Sequence, residues 1–180
     1  NPAIKTPNLD RLVAEGTTFT NAYIMGGSSG AVCMPSRGML HTGRSLYHIQ
    51  GRGESVDPNH AMLGETLQQA GYTSFGTGKW HNGPSAFARS FNAGAKIFFG
   101  GMDDHWNVPA CDYDPTGEYR PSPKIDNPHV DNTVTWRRCD HIAAGTHSTD
   151  LFVDATINFI EQQPTEDPFL AYVSFMAPHD

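Results

Sequence analysis

The sequence predicts an α/β fold with a mostly parallel central sheet and helices on both of its faces. Segments of helical period alternate with strand-like segments along the chain, the pattern of a sheet layered between helices. The segment 169–175 is apolar at nearly every position, as a central parallel strand buried on both faces is. Lys79, His81 and His179 fall directly after strand-like runs, where open α/β sheets place their sites.

The elements follow in order. Leu9, Leu12 and Val13 give residues 8–15 a helical spacing, and Gly16 stands where that helix would end. Residues 17–24 are rich in Thr, Phe and Tyr and predict a strand. A loop of glycines and serines covers 26–30. Pro35 suits the first turn of a helix reaching about His41, with Gly43 to close it. Residues 62–70 predict a further helix closed by Gly71. Residues 72–77 predict a strand that ends at Gly78-Lys79-Trp80-His81. Across 82–148 the periodicity fades into Gly, Pro, Asp and Asn, which predicts long loops and short strands, one at 96–99. Loops of that length inside a domain commonly shape a site, and the segment is expected to be an insertion around a substrate pocket. Thr149 is the N-cap candidate of a helix over 150–163, with Leu151, Ala155, Ile157 and Ile160 as its expected buried positions. After a turn at 164–167, the strand 169–175 leads to Pro178-His179-Asp180.

The 180 residues suit one domain, or a large part of one, over 1–180. With 38% hydrophobic and 17% charged residues the composition is that of a soluble globular protein. No run approaches the ~20 apolar residues of a membrane span. The net charge of −7 and the scattering of 12 Lys and Arg argue against a nucleic-acid or anionic-membrane surface. They leave room for an anionic small substrate, because a few converging cations make a local pocket. Both ends, at Asn1-Pro2-Ala3 and at Asp180, read as interruptions of a longer sequence. The three cysteines, Cys33, Cys111 and Cys139, match no zinc spacing. Cys111 and Cys139 either pair in an oxidising compartment or stay as two thiols.

The chemistry concentrates at a few places. A glycine-rich loop delivers Cys33 to a helix start, where unpaired backbone N–H groups and the helix dipole favour negative charge. Arg37 lies one turn on, so its guanidinium can reach back towards that end. The alternative for Cys33 is a buried structural thiol. Lys79, His81 and His179 are either site residues or ordinary loop side chains. Asp103, Asp104, His105 and Trp106 group polar and aromatic side chains as a sugar or aryl pocket does, or form an ordinary loop. His129, His141 and His147 lack metal-ligand spacing and are expected in solvent. Trp136-Arg137-Arg138 is expected at the surface or on a pocket rim.

Cys33, Pro35, Ser36 and Arg37, followed by Thr42-Gly43-Arg44, resemble the signature of type I sulfatases, a family of the alkaline phosphatase superfamily. Thr6 to Leu12 and Phe19 to Tyr23 resemble the family's approach to that signature. Gly78-Lys79-Trp80-His81 resembles its second motif, and Pro168-Phe169-Leu170 through Pro178-His179 its third. The middle of the chain matches little. His41 departs from the pattern, since an apolar residue usually precedes the threonine of Thr42-Gly43-Arg44. It is expected either to affect modification or to be an exposed side chain of no consequence.

The resemblance implies an alkaline phosphatase-like three-layer sandwich and a sulfuric ester hydrolase. It implies that Cys33 is oxidised to formylglycine by a formylglycine-generating or anaerobic maturation enzyme. The hydrated aldehyde would attack sulfur, with Ca²⁺ or Mg²⁺ as the metal and modified residue 33 among its ligands. The family's remaining ligands would lie before Asn1 and after Asp180. The same resemblance gives Arg37 and Lys79 to the diol and sulfate charge, and His81 to collapse of the hemiacetal. It gives His179 to sulfate contact or protonation of the leaving oxygen. Substrate contacts are expected at Lys79, His179, Asp103 and His105. Aryl, choline and glycan sulfates all suit the motifs. So does a periplasmic, secreted or lysosomal-type compartment. The competing readings are a phosphonate monoester or phosphodiester hydrolase using the same nucleophile, and a non-catalytic carbohydrate-binding relative.

Overall fold

The computed structural model describes residues 3–28, 30, 32–49, 51, 53–125 and 134–179. Its centre is a three-stranded parallel sheet in which β1 (Thr73–Lys79) lies between β2 (Ala93–Phe98) and β7 (Phe169–Ser174). The helices are α1 (Pro7–Glu15), α2 (Cys33–Thr42), α3 (Leu63–Gln69), α4 (Pro84–Ser90) and α5 (Ser148–Glu161). Two antiparallel ribbons, β3 (Asn107–Ala110) with β6 (His141–Ala144) and β4 (Ser122–Ile125) with β5 (Val134–Arg137), and a short 3-10 helix (Leu46–His48) complete the described elements.

Side-chain alternation along the strands divides the core in two. Ile97 and Tyr172 pack with Trp80, Phe87 and Phe91 on the side of α4. Their chain neighbours Phe98 and Val173 pack with Val108, Phe152 and Met176 on the side of α5. The result is the helix–sheet–helix sandwich that the sequence predicts. Close packing dictates glycine at two positions. A Cβ on Gly64 would fall 1.9 Å from the Ser90 carbonyl oxygen, so only glycine lets α3 lie against α4. Gly78 has φ +82, and a Cβ there would fall 2.1 Å from the Ser174 carbonyl oxygen. The register between β1 and β2 shifts at Thr77/Gly78, one residue before Lys79, as bulges beside sites often do.

Several elements differ from the sequence reading. Residues 17–24 form no strand; Phe19 and Tyr23 are exposed and no described strand pairs with them. A strand needs a ladder partner, and composition alone does not supply one. Within 82–148, α4 and β2 are regular core elements. The helix was hidden because it has only seven residues, too few to display a period. β7 is the sheet's edge strand among the described residues, and β1 takes the central place. The N-cap of α5 is His147, whose Nδ1 accepts from the Thr149 N–H, so Thr149 already lies inside the helix. The buried face of α5 carries Phe152 and Phe159, whereas Ile157 and Ile160 are exposed. The two rings, two turns apart, fill the groove above β1, where Phe159 stacks on Phe75 at 4.4 Å. Cys111 and Cys139 are buried thiols with no disulfide between them; burial pushes the Cys111 thiol up to about 12.

Phe152 is fully buried and anchors α5 on the sheet. Phe152→Ala should therefore cost about 3–5 kcal/mol, read as a lowered denaturant midpoint of the full-length protein. An unchanged midpoint would contradict this docking.

Candidate active site

Four chain segments converge at the carboxyl end of the sheet. Arg37, one turn into α2, reaches across to two strands with one nitrogen. Its Nη1 donates to the Lys79 carbonyl at 3.0 Å, to the Tyr172 hydroxyl at 2.8 Å and to the Ser174 hydroxyl. The start of α2 is pinned from the other side by Asn82, which follows β1. The buried Asn82 donates through Nδ2 to the Met34 carbonyl at 2.8 Å and the Gly53 carbonyl at 2.5 Å. These bonds hold Cys33, the first residue of α2, beside the end of β1.

Cys33, Lys79, His81 and His179 line one cavity of about 700 Å³. Its remaining wall is largely apolar, built from Tyr23, Ile24, Met25, Val32, Met39 and Met102. Cys33 Sγ stands 3.1 Å from His81 Nδ1. Burial depresses the pKa of Lys79; a negative charge at Cys33 opposes that effect, and Arg37 adds to it. His81 is also depressed, first by burial, then by Lys79 and Arg37, with Glu54 opposing. His81 is thus neutral at pH 7, beside the Lys79 ammonium and the Cys33 sulfur. Arg37 is not on the cavity wall; it lies behind it, and its charge is felt at Lys79, His81 and His41.

The other expected contacts lie elsewhere. Asp103 pairs with Arg137 and lines a separate cavity of about 250 Å³ with Trp136 and Arg138. Asp104 accepts from the Trp106 N–H and from Asn107 Nδ2, both at 2.7 Å, which fixes a tight turn. His105 is outside the wall of the larger cavity, with both ring nitrogens hydrogen-bonded inside the protein. His141 and His147 are half-buried, not free in solvent: His141 meets Lys96 Nζ at 3.0 Å, and His147 caps α5. His129 lies outside the described residues, as does Asp180.

Among the described residues no three His, Cys, Asp or Glu side chains gather to hold a metal. The larger cavity offers a thiol, an ammonium and imidazoles, and among the described residues no carboxylate lines it. A hard divalent cation prefers about six oxygen ligands. By themselves these residues therefore do not fit a Ca²⁺ or Mg²⁺ site.

Sequence reasoning missed Asn82, Tyr172, Ser174 and the burial of His41. Asn82 follows a recognised motif directly, and Tyr172 and Ser174 are polar positions two apart in an otherwise apolar strand; both signals were readable. His41 is 3% exposed, so it is not a surface side chain. Its ring packs on Trp80 and Tyr172, with centroids 4.6 Å away in each case. Nε2 has no hydrogen-bond partner.

The family model described as Sulfatase matches residues 1–180. The chain is 29% identical over 181 residues to an N-acetylglucosamine-6-O-sulfatase of Bacteroides thetaiotaomicron, covering 98% of this chain and 26% of that protein. It is 28% identical over 203 residues to the Homo sapiens N-acetylgalactosamine-6-sulfatase, covering 99% of this chain and 35% of that protein. The chain thus spans about a quarter to a third of these curated relatives. Among solved structures, Ps i-CgsB in complex with k-i-k-neocarrahexaose superposes with a TM-score of 0.69 at 25% identity, covering 97% of this chain and 40% of that one.

His41 makes stability depend on pH. Burial, with Arg37 nearby, lowers its pKa from 6.5 to about 4. The unfolded chain takes up the proton first as pH falls. The contribution of neutral His41 is therefore complete above pH 6.5 and is lost as pH falls from 6.5 towards 4, in total about 3 kcal/mol. In urea titrations of the full-length protein, His41→Leu should flatten the loss of stability between pH 7 and pH 4.5. Equal losses in both proteins would contradict the burial of a neutral imidazole.

Proposed function

The chain belongs to the sulfatase family, and on that premise we propose that the full-length protein hydrolyses a sulfate ester at residue 33, with a sulfated glycan as its substrate. The observation that carries this reading is the position of Cys33 Sγ, 3.1 Å from His81 Nδ1 on a cavity wall shared with Lys79 and His179. The glycan is inferred from the relatives, two of which are named for amino-sugar sulfates and one of which binds a hexaose.

The sulfur of Cys33 stands where the side-chain oxygen of a formylglycine would lie. Oxidised to formylglycine and hydrated, residue 33 supplies a geminal diol that displaces the alcohol from sulfur and then releases sulfate. The residues around it divide the remaining work. The Lys79 ammonium, held at the end of β1, faces the sulfate charge and stabilises its growth on the bridging oxygens. The depressed pKa of His81 keeps it neutral, able to take the proton of the second hydroxyl as sulfate departs. His179, on the wall after β7, gives a proton to the leaving alcohol oxygen. Arg37 holds the helix carrying residue 33 against the strand carrying Lys79, so nucleophile and charge stabiliser stay in register. The apolar wall excludes water and strengthens each of these interactions.

The full-length protein should turn over an aryl sulfate and an N-acetylhexosamine 6-sulfate in preference to an aryl phosphodiester. Cys33→Ala should abolish multiple turnover with the fold intact. Lys79→Ala should lower kcat roughly 10²-fold, the scale of losing one transition-state charge stabiliser. Preference for the phosphodiester would assign the site to phosphorus chemistry. Near-normal turnover by Cys33→Ala would remove formylglycine from the mechanism.

A further inference from the structure

We propose that His105 is a positioning residue that fixes His179, and with it the proton donor of the site; this rests on the sulfatase reading above. His105 sits between β2 and β3, far in sequence from the residue it holds. Its Nε2 is 2.6 Å from the carbonyl oxygen of His179, and its Nδ1 is 2.6 Å from the Ser148 hydroxyl. A carbonyl only accepts, so Nε2 carries the hydrogen and donates it. In the neutral ring Nδ1 is then an acceptor, and the Ser148 hydroxyl donates to it.

The ring cannot easily turn. The Ser148 N–H donates to the carbonyl of His105 at 2.8 Å, so one residue grips both backbone and side chain. The imidazole of His147 stacks on His105 with centroids 4.9 Å apart and an interplanar angle of 11°. Trp106 in turn packs its edge against His147 at 5.3 Å. Asp104 sets the turn that presents the pair, accepting from the Trp106 N–H at 2.7 Å. Ser148 is fully buried at the first turn of α5. The start of α5 is thereby linked, through His105, to the segment after β7.

That segment is anchored in the core by Met176, and His179 lies three residues beyond it. The His179 N–H donates to the Met176 carbonyl at 3.1 Å. His179 is exposed on one side while its side chain lines the cavity. It shares that cavity wall with His81. Releasing the carbonyl of His179 would let its ring drift from the leaving-group oxygen. A displacement of about 1 Å at a reacting group costs up to about 10²-fold in rate.

The test compares His105→Phe, His105→Gln and His179→Ala in the full-length protein with an aryl sulfate. Phe keeps the ring and the stack on His147 but donates nothing. Gln brings an amide N–H close to the position of Nε2. His105→Phe should lower kcat roughly 10- to 100-fold with KM within about three-fold, while Gln recovers most of the loss. Wild-type kcat in His105→Phe would overturn the proposal. So would a loss in Gln equal to that in Phe, or losses that follow melting temperature alone. Full activity in His179→Ala, or an inactive wild type, would instead sink the reading of the site. The clamp is then judged without turnover, by the imidazole NMR resonances of His179. They should shift in His105→Phe and return in His105→Gln; unchanged resonances in His105→Phe would refute it.

Discussion

One guanidinium nitrogen joins the three elements on which the cavity depends. Arg37 Nη1 takes a carbonyl from β1, and hydroxyls from two alternate positions of β7, while its own backbone belongs to α2. Hydrogen bonds from a charged donor are about twice as strong as neutral ones, and here they tie α2 to two neighbouring strands, β1 and β7. A lysine would bring a single point charge without the planar fork. The helix that begins at Cys33 cannot slide along the sheet without breaking these bonds and those of Asn82 on the other side. The placement of Cys33 relative to Lys79 follows from this brace.

The brace has an electrostatic cost, and the surrounding groups reflect it. Burial lowers the pKa of His41, Lys79 and His81, and the Arg37 charge lowers all three further. Such a cluster of cations at the end of a sheet is unfavourable until an anion enters. Under the proposed function, a sulfate ester would supply the compensating charge, and its gain of charge during cleavage would be stabilised more than its ground state. Neutral His81 and buried, uncharged His41 are the forms that this crowding selects. The clustered histidines at 105 and 147 lie outside the crowd and act through hydrogen bonds and stacking instead.

Much of the fold was legible because periodicity and end signals agreed. The helix starting at Cys33 and closing at Gly43, and the strand ending at Lys79, emerged within a residue or two. Residues placed after strands met in space because parallel sheets gather their carboxyl ends. The parts that were not legible depend on partners distant in sequence. Residues 17–24 have strand composition but no described strand to pair with. The face of α5 was misjudged because Phe152 and Phe159 meet Phe75 and the sheet, contacts that a helical wheel cannot rank. By composition Asp103 and His105 read as parts of one pocket, yet Asp103 pairs with Arg137 on a second cavity, and Ser148 and the His179 carbonyl hold the ring of His105.

The conversion of Cys33 to formylglycine is tested most directly by the mass of the tryptic peptide containing residue 33, taken from full-length protein that turns over a sulfate ester. Replacing the thiol carbon and sulfur with an aldehyde lowers the mass by about 18 Da, and that lighter peptide should dominate. An unmodified, alkylatable Cys33 peptide throughout an active preparation would contradict it.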